Sequence, residues 1–241
     1  MPKNMSKKKI IAAILAVAIL AVLAIVAYYG REASLYIKTD DARVASNTVI
    51  VTPEIEGKLL EWRVKEGDRV EAGELLGRQD LGTALTSGAM SPQSLGSVAG
   101  VIAEKASIKA PISGQVIQSS AVVGQMAAPG SSLAVVADTD SLYISANIKE
   151  GDIARVAAGQ ETRVTVDAFP GRTFHGRIES IGRATTSTFS LLASQSGGGN
   201  YTKVIQVIPV KIALVDQGEA RLMIGMNAYV TISIRGRVGE R

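Results

Sequence analysis

The chain has 241 residues, enough for one large or two small domains, and is 46% hydrophobic but only 4% aromatic, with 24 glycines. It has no cysteine, which excludes disulfides, thiolate chemistry and a lipidated-cysteine anchor, and its single histidine, His175, cannot build a histidine metal cluster. Part of the net charge of +4 comes from Lys3, Lys7, Lys8 and Lys9, and no basic stretch interleaved with aromatics follows, which argues against nucleic-acid binding.

Residues 1–9 read as a cytoplasmic N-terminus and 10–29 as a transmembrane helix. Ile10 to Ala27 is unbroken Ile, Ala, Leu and Val, and Tyr28 and Tyr29 close the run. At about 1.5 Å per residue the run spans roughly 27 Å, close to the hydrocarbon thickness, with the tyrosines suited to the interface. Lysines before the run, and only Arg31 just after it, keep the N-terminus in the cytoplasm and put the bulk of the chain outside it. The competing reading is a cleaved signal peptide. The length of the run and its Ala-Tyr-Tyr-Gly end, which lacks a small-x-small site, favour an uncleaved anchor at Ile10, Tyr28 and Tyr29.

After a linker and first strand (30–48), the sequence repeats itself at one constant offset. Residues 51–79 and 108–136 align without gaps: Ile55 meets Ile112, Gly57 meets Gly114, Gly67 meets Gly124, Gly73 meets Gly130 and Leu76 meets Leu133. Each glycine is read as structural, ending a short strand where the chain turns tightly or takes positive φ. Each half, 49–81 and 107–138, is then about four short strands, and the two must pack together to bury their apolar faces. The pair resembles the biotinyl/lipoyl-type fold. In carriers of that fold the halves meet at a hairpin bearing a modified lysine. Here residues 82–106 stand between them, and Lys105, between Glu104 and Ala106, matches no such motif, so no cofactor is expected.

A lipoyl-like domain split by an insert behind an N-terminal anchor resembles the membrane fusion proteins, also called periplasmic adaptors or HlyD-like secretion proteins. The phrases Lys109-Ala110-Pro111-Ile112-Ser113-Gly114 and Val64-Lys65-Glu66-Gly67-Asp68-Arg69-Val70 match that family's two half-motifs. The rest of the chain, 139–235, alternates in short runs: Leu142–Ile148, Thr162–Asp167, Thr173–Ile181, Val204–Val215 and Ala228–Arg235, with a short helix over Lys149–Ala158. This spacing predicts a small β-barrel, followed by a tail at 236–241. Gly159-Gln160, Asp167, Pro170-Gly171 and Phe174-His175-Gly176 are similar to that family's barrel. Phe189-Ser190-Leu191-Leu192, Asn200, the run from Lys203 to Val210, and Leu222 with Ile224-Gly225-Met226 are similar to its multidrug-resistance-A branch. The expected fold class is mainly β: an N-terminal transmembrane helix, a split lipoyl-like sandwich (a barrel-sandwich hybrid) and a small barrel.

The resemblance implies a non-catalytic adaptor that helps an inner-membrane transporter export its cargo. The transporter would be of the major facilitator superfamily, with an ABC transporter the other possibility, and the adaptor would form a ring of copies. The family's insert usually carries a long helical hairpin. Residues 82–106 are instead Gly- and Ser-rich, contain Pro92 and show no heptads. A helix of about 12 residues would span only about 18 Å, which argues against contact with an outer-membrane channel. The loop Ser194–Asn200, including Gln195, Gly198 and Asn200, is either a hairpin tip or a contact for the transporter. His175 reads as a solvated strand residue, Asp40-Asp41 and Asp138/Asp140 as turn formers, and Met223 and Met226 as core. A membrane-tethered envelope scaffold with no transporter is the alternative function.

Overall fold

The computed structural model describes residues 15, 18–25, 27, 35–80, 100, 101, 103–189, 205–216 and 220–234. The chain divides into two units, Ala45–Leu142 and the segments on either side of it. The first strand, β1 (Tyr36–Ala45), belongs to the flanking unit.

The inner unit is built from the repeat. The first half supplies β2 (Thr48–Val51), β3 (Gly57–Trp62), β4 (Arg69–Val70) and β5 (Leu75–Gln79). The second supplies β6 (Ser107–Lys109), β7 (Gly114–Ser119), β8 (Met126–Ala127) and β9 (Ala134–Ala137). These make two four-stranded sheets in the orders β2-β9-β7-β4 and β6-β5-β3-β8. Each sheet takes two strands from each half, and exchanging the halves converts one sheet into the other. The core obeys the same exchange: Val51 and Ile108, Leu59 and Val116, Val64 and Ala121, Val70 and Ala127, and Leu76 and Leu133 are equivalent positions in one cluster. Leu59, Leu76, Val116 and Leu133 are fully buried, each stabilising the unit by about 1.5–3 kcal/mol relative to exposure. With so few aromatics, Trp62 alone adds a large ring, and its indole N–H donates to Ser119 Oγ at 3.0 Å, the residue at its own equivalent position.

The outer unit is a closed barrel with the strand order β1-β10-β13-β12-β11-β14. Its later strands are β10 (Tyr143–Lys149), β11 (Glu161–Val166), β12 (Thr173–Ile181), β13 (Val207–Leu214) and β14 (Asn227–Ser233). Burial alternates strictly along β11 and through most of β10, β12 and β14. This is the period-two signature of strands with one face in a core. Ile144, Ile148, Ile178, Ile212 and Ile232 fill the interior, and Phe174 meets Phe169 edge-on at 6.3 Å. A one-turn helix, Glu150–Ile153, occupies part of the stretch expected to be helical.

The barrel therefore extends beyond residues 139–235. It also takes Tyr36–Ala45 from the stretch read as linker and first strand, and this strand pairs with β14 from Tyr36↔Ser233 to Arg43↔Asn227. Closure explains the recruitment: without β1, the edges of β10 and β14 would be left with unpaired amides.

Candidate interaction surfaces

The half-motif glycines occupy matched places in the two halves. Gly67 and Gly124 sit at φ +94° and +93°, and Gly73 and Gly130 at +85° and +92°, the left-handed region that side chains enter at a cost. The bonds around them match as well. The Gly67 amide donates to the Val116 carbonyl at 2.8 Å, and the Gly124 amide to the Leu59 carbonyl at 2.7 Å. Val116 N–H donates to Asp68 O, and Leu59 N–H to Gln125 O. Gly57 and Gly114 act through close approach. A Cβ on Gly57 would lie 2.9 Å from the Asp80 carbonyl oxygen, and one on Gly114 would overlap the Ala137 carbonyl, 2.7 Å from its carbon. Beside Gly57, the buried Gln79 amide donates to the carbonyls of Gly57 and Ala127, tying the halves together.

The two glycine turns carry different side chains. Around Gly67 they are polar and engaged. Asp68 accepts from the Lys65 amide at 2.7 Å, Glu66 accepts from the Ser119 amide at 3.1 Å, Gln115 donates to the Gly67 carbonyl and Arg69 pairs with Asp140. Around Gly124 they are apolar and exposed: Val122 is 62%, Val123 57% and Met126 55% accessible. Sequence reasoning matched the glycines and passed over this contrast, although Lys65-Glu66 aligned against Val122-Val123 displays it. On β3, Glu61 binds Arg63 at 2.7 and 3.1 Å, and that hydrogen bond, with the nearby guanidinium charge, holds the Glu61 carboxyl below its ordinary value. A groove of about 660 Å³ opens between Ile50–Glu54 and the helical residues 103–105, walled by Ile50, Pro53, Glu54, Val101, Glu104 and Lys109.

Other expected sites fall differently. Ile10, Tyr28 and Tyr29 lie outside the described residues. Within that run residues 18–25 are helical, with Ile19, Leu20, Val22, Leu23 and Ile25 more than half exposed. Among the described residues no helix is long and apolar enough to cross a membrane. Gln195, Gly198 and Asn200 also lie outside the described residues. The feet of their loop are in contact: the 3-10 turn Thr186–Phe189 carries Ser187, which donates to Gln206 Oε1. Most of the insert lies outside as well; near its end residues 103–105 are helical and residue 106 is in a turn. His175 is exposed on β12. Asp138 accepts the Asp140 amide, and Asp41 accepts from the Asn147 side chain. Met223 is 64% exposed, which corrects its placement in the core: it precedes the turn at Gly225, outside the alternating part of β14. Among the described residues no three His, Asp or Glu side chains gather as a metal site.

Two family profiles divide this architecture between them. The "RND MFP, barrel-sandwich hybrid domain" matches residues 47–139, and the "YknX-like beta-barrel domain" matches residues 142–232. YhbJ of Bacillus subtilis, which bears the name of an efflux system component, is 36% identical over 218 residues, or 90% of this chain and 88% of YhbJ. The colistin resistance protein EmrA of Acinetobacter baumannii is 34% identical over 129 residues, 53% of this chain; the match spans only 36% of that longer protein. A crystal structure of a MacA-MexA chimeric protein, containing the Pseudomonas aeruginosa MexA alpha-hairpin domain, superimposes with a TM-score of 0.62 at 23% identity. It covers 83% of this chain and 82% of the chimera, a likeness of fold.

Proposed function

The chain belongs to the membrane fusion protein, or periplasmic adaptor, family, and from that premise we propose that it is the non-catalytic adaptor subunit of a multidrug efflux or secretion system. The observation that carries the reading is the pairing of a split barrel-sandwich hybrid with a six-stranded barrel in one chain, alongside 36% identity to YhbJ, a protein named for an efflux system, across nearly its whole length. In this reading residues 10–29 anchor the protein as a single-pass membrane protein. The N-terminus is cytoplasmic, and the sandwich and barrel stand outside the cytoplasm. The partner is an inner-membrane transporter; the multidrug-resistance-A resemblance favours the major facilitator superfamily over an ABC transporter.

The adaptor assembles as a homo-oligomer, and the loop around Gln195, Gly198 and Asn200 contacts the transporter. No bond chemistry is assigned to it, and transport energy comes from the partner. The short insert keeps its reach on the near side of the membrane, away from an outer-membrane channel. The test is purification of the tagged full chain from detergent-solubilised membranes. Recovery of a many-helix transporter supports the reading. A chain that comes out alone and binds an envelope component would replace it with a scaffold role.

A further inference from the structure

The two halves of the sandwich begin with equivalent edge strands. β2 ends the order β2-β9-β7-β4, and β6 ends the order β6-β5-β3-β8. The groove of about 660 Å³ is lined from both of them. The second half covers its edge with its own chain. Ser107 Oγ donates to the Ala103 carbonyl at 3.2 Å, and Lys109 pairs with Glu104 at 3.5 Å. Among the described residues β2 has no equivalent bond to the chain that precedes it.

The backbone of β2 has one satisfied side and one open side. The Asn47 and Val51 carbonyls accept from the Asp138 and Leu133 amides at 3.0 and 2.9 Å, so the odd positions face β9. Backbone groups alternate sides along a strand, so the N–H and C=O groups of Thr48, Ile50 and Thr52 face away from it. Their side chains are exposed as well, Ile50 at 57%. Edge strands are ordinarily blunted by a charge, a proline or a bulge. No charged residue stands between Val44 and Pro53, and the first proline, Pro53, lies past the end of the strand. The register with β9 runs without a break from Thr48↔Ala137 to Val51↔Ala134. β2 is therefore an unprotected template for one more strand.

The sequence of the edge identifies the strand that fits it. Thr48-Val49-Ile50-Val51-Thr52 reads the same in both directions. Laid antiparallel on a second copy about a twofold axis at Ile50, it sets Ile50 against Ile50, Val49 against Val51 and Thr48 against Thr52. Every pair then joins like with like, β-branched against β-branched, and the outward-facing backbone groups meet their partners. A twofold contact needs such a self-complementary surface. We propose that two copies of this chain pair through β2, making one continuous sheet across the axis. Five residues a side bury less than the roughly 800 Å² per partner of a standard interface, so the pairing depends on the local concentration that a shared membrane provides. It deepens the homo-oligomeric, membrane-anchored assembly proposed above and rests on that reading.

The chain has no cysteine, so single introduced thiols report the pairing directly. The test oxidises membranes carrying the full chain with Ile50→Cys, with Thr48→Cys, or with a mixture of Thr48→Cys and Thr52→Cys chains. Opposed Ile50 positions would have Cα atoms about 5.5 Å apart, within disulfide reach. Two copies of Thr48 would be offset by four positions, about 14 Å, beyond it. The expected result is a disulfide dimer from Ile50→Cys and from the mixture, with at least about fivefold less from Thr48→Cys alone. Ile50→Lys added to both chains of the mixture sets two lysines against each other and should lower its dimer by at least about fivefold. Ile50 is exposed, and an unchanged thermal unfolding midpoint would show that the variant folds. Equal cross-linking at all positions would overturn the pairing as random collision. A disulfide from Ile50→Cys to a different polypeptide would overturn the second copy as occupant. No disulfide at residue 50, with oligomers still captured by a lysine-reactive cross-linker, would overturn the β2 contact and leave the homo-oligomer standing. A monomer by both reagents would overturn the two together.

Discussion

In the first half of the sandwich, the turn at Gly67 is ringed by Lys65, Glu66, Asp68 and Arg69, each committed to a bond within the unit or to solvent. In the second half, the turn at Gly124 has nearly the same φ and the equivalent backbone bonds, yet it presents Val122, Val123 and Met126 to the outside. One backbone plan therefore tolerates opposite side chains at its tips. The glycines and the buried pairs hold the fold, and the tips are free to serve another purpose. Exposed apolar side chains clustered on one turn are the kind of surface that partners cover.

The equivalence of the halves can be broken hardest at Gly57 and Gly114. Gly114→Ala should cost about 3 kcal/mol or more, because the new methyl meets a backbone carbonyl that cannot step aside. Gly57→Ala should cost about 1–2 kcal/mol, since its contacts are longer. Thermal unfolding of the two variants measures the difference, and equal losses would show that the Gly114 approach relaxes.

Gly67→Ala and Gly124→Ala should each cost about 1–2 kcal/mol and match each other. Around Gly67 the space is open, and around Gly124 only the Lys58 side chain approaches, at 3.9 Å, so only the positive φ is penalised. A gap of more than about 1 kcal/mol between them would mean that the turns are not energetically equivalent. Trp62→Phe should cost about 1 kcal/mol through the lost bond to Ser119, a contact between the two halves. Denaturant unfolding should move its midpoint without a change in slope.

Exchanging the tip side chains, Val122→Lys with Val123→Glu, should move stability by no more than about 0.5 kcal/mol. The same variant should weaken recovery of a partner if the apolar tip is covered in the assembly. A large loss of stability would instead make the tip part of the fold. The smallest effect is acidic. Glu61 is held below its ordinary value of 4.5 by Arg63, so its contribution is fully present above that pH and is lost as the pH falls through its lowered value. Titration of the Glu61 carboxyl by NMR, with and without Arg63→Gln, should show the value rising toward 4.5 in the variant.

The repeat was legible in the sequence because glycines at positive φ cannot be replaced cheaply, so they stay in register while the residues between them diverge. The later barrel strands were legible from their alternation. β1 was not. Its register shifts between Thr39 and Ala42, so the inward residues fall at Ile37, Ala42 and Val44 and the period-two pattern breaks at Asp40-Asp41. The glycine-rich loop at 194–200 and the anchor tyrosines fall outside the described residues, so their roles rest on the sequence alone.

The barrel's first strand has a consequence for synthesis. β1 leaves the ribosome before the sandwich, but its neighbours β10 and β14 both follow the sandwich, and the last of them ends at Ser233. The inner unit, Ala45–Leu142, is complete long before that and can fold while β1 waits. Until β14 arrives, two open strand edges stand ready to pair with any other chain nearby. A ribosome that stalls after Leu214 would release a protein with a finished middle and an unclosed rim, and quality control would meet it as an aggregation hazard.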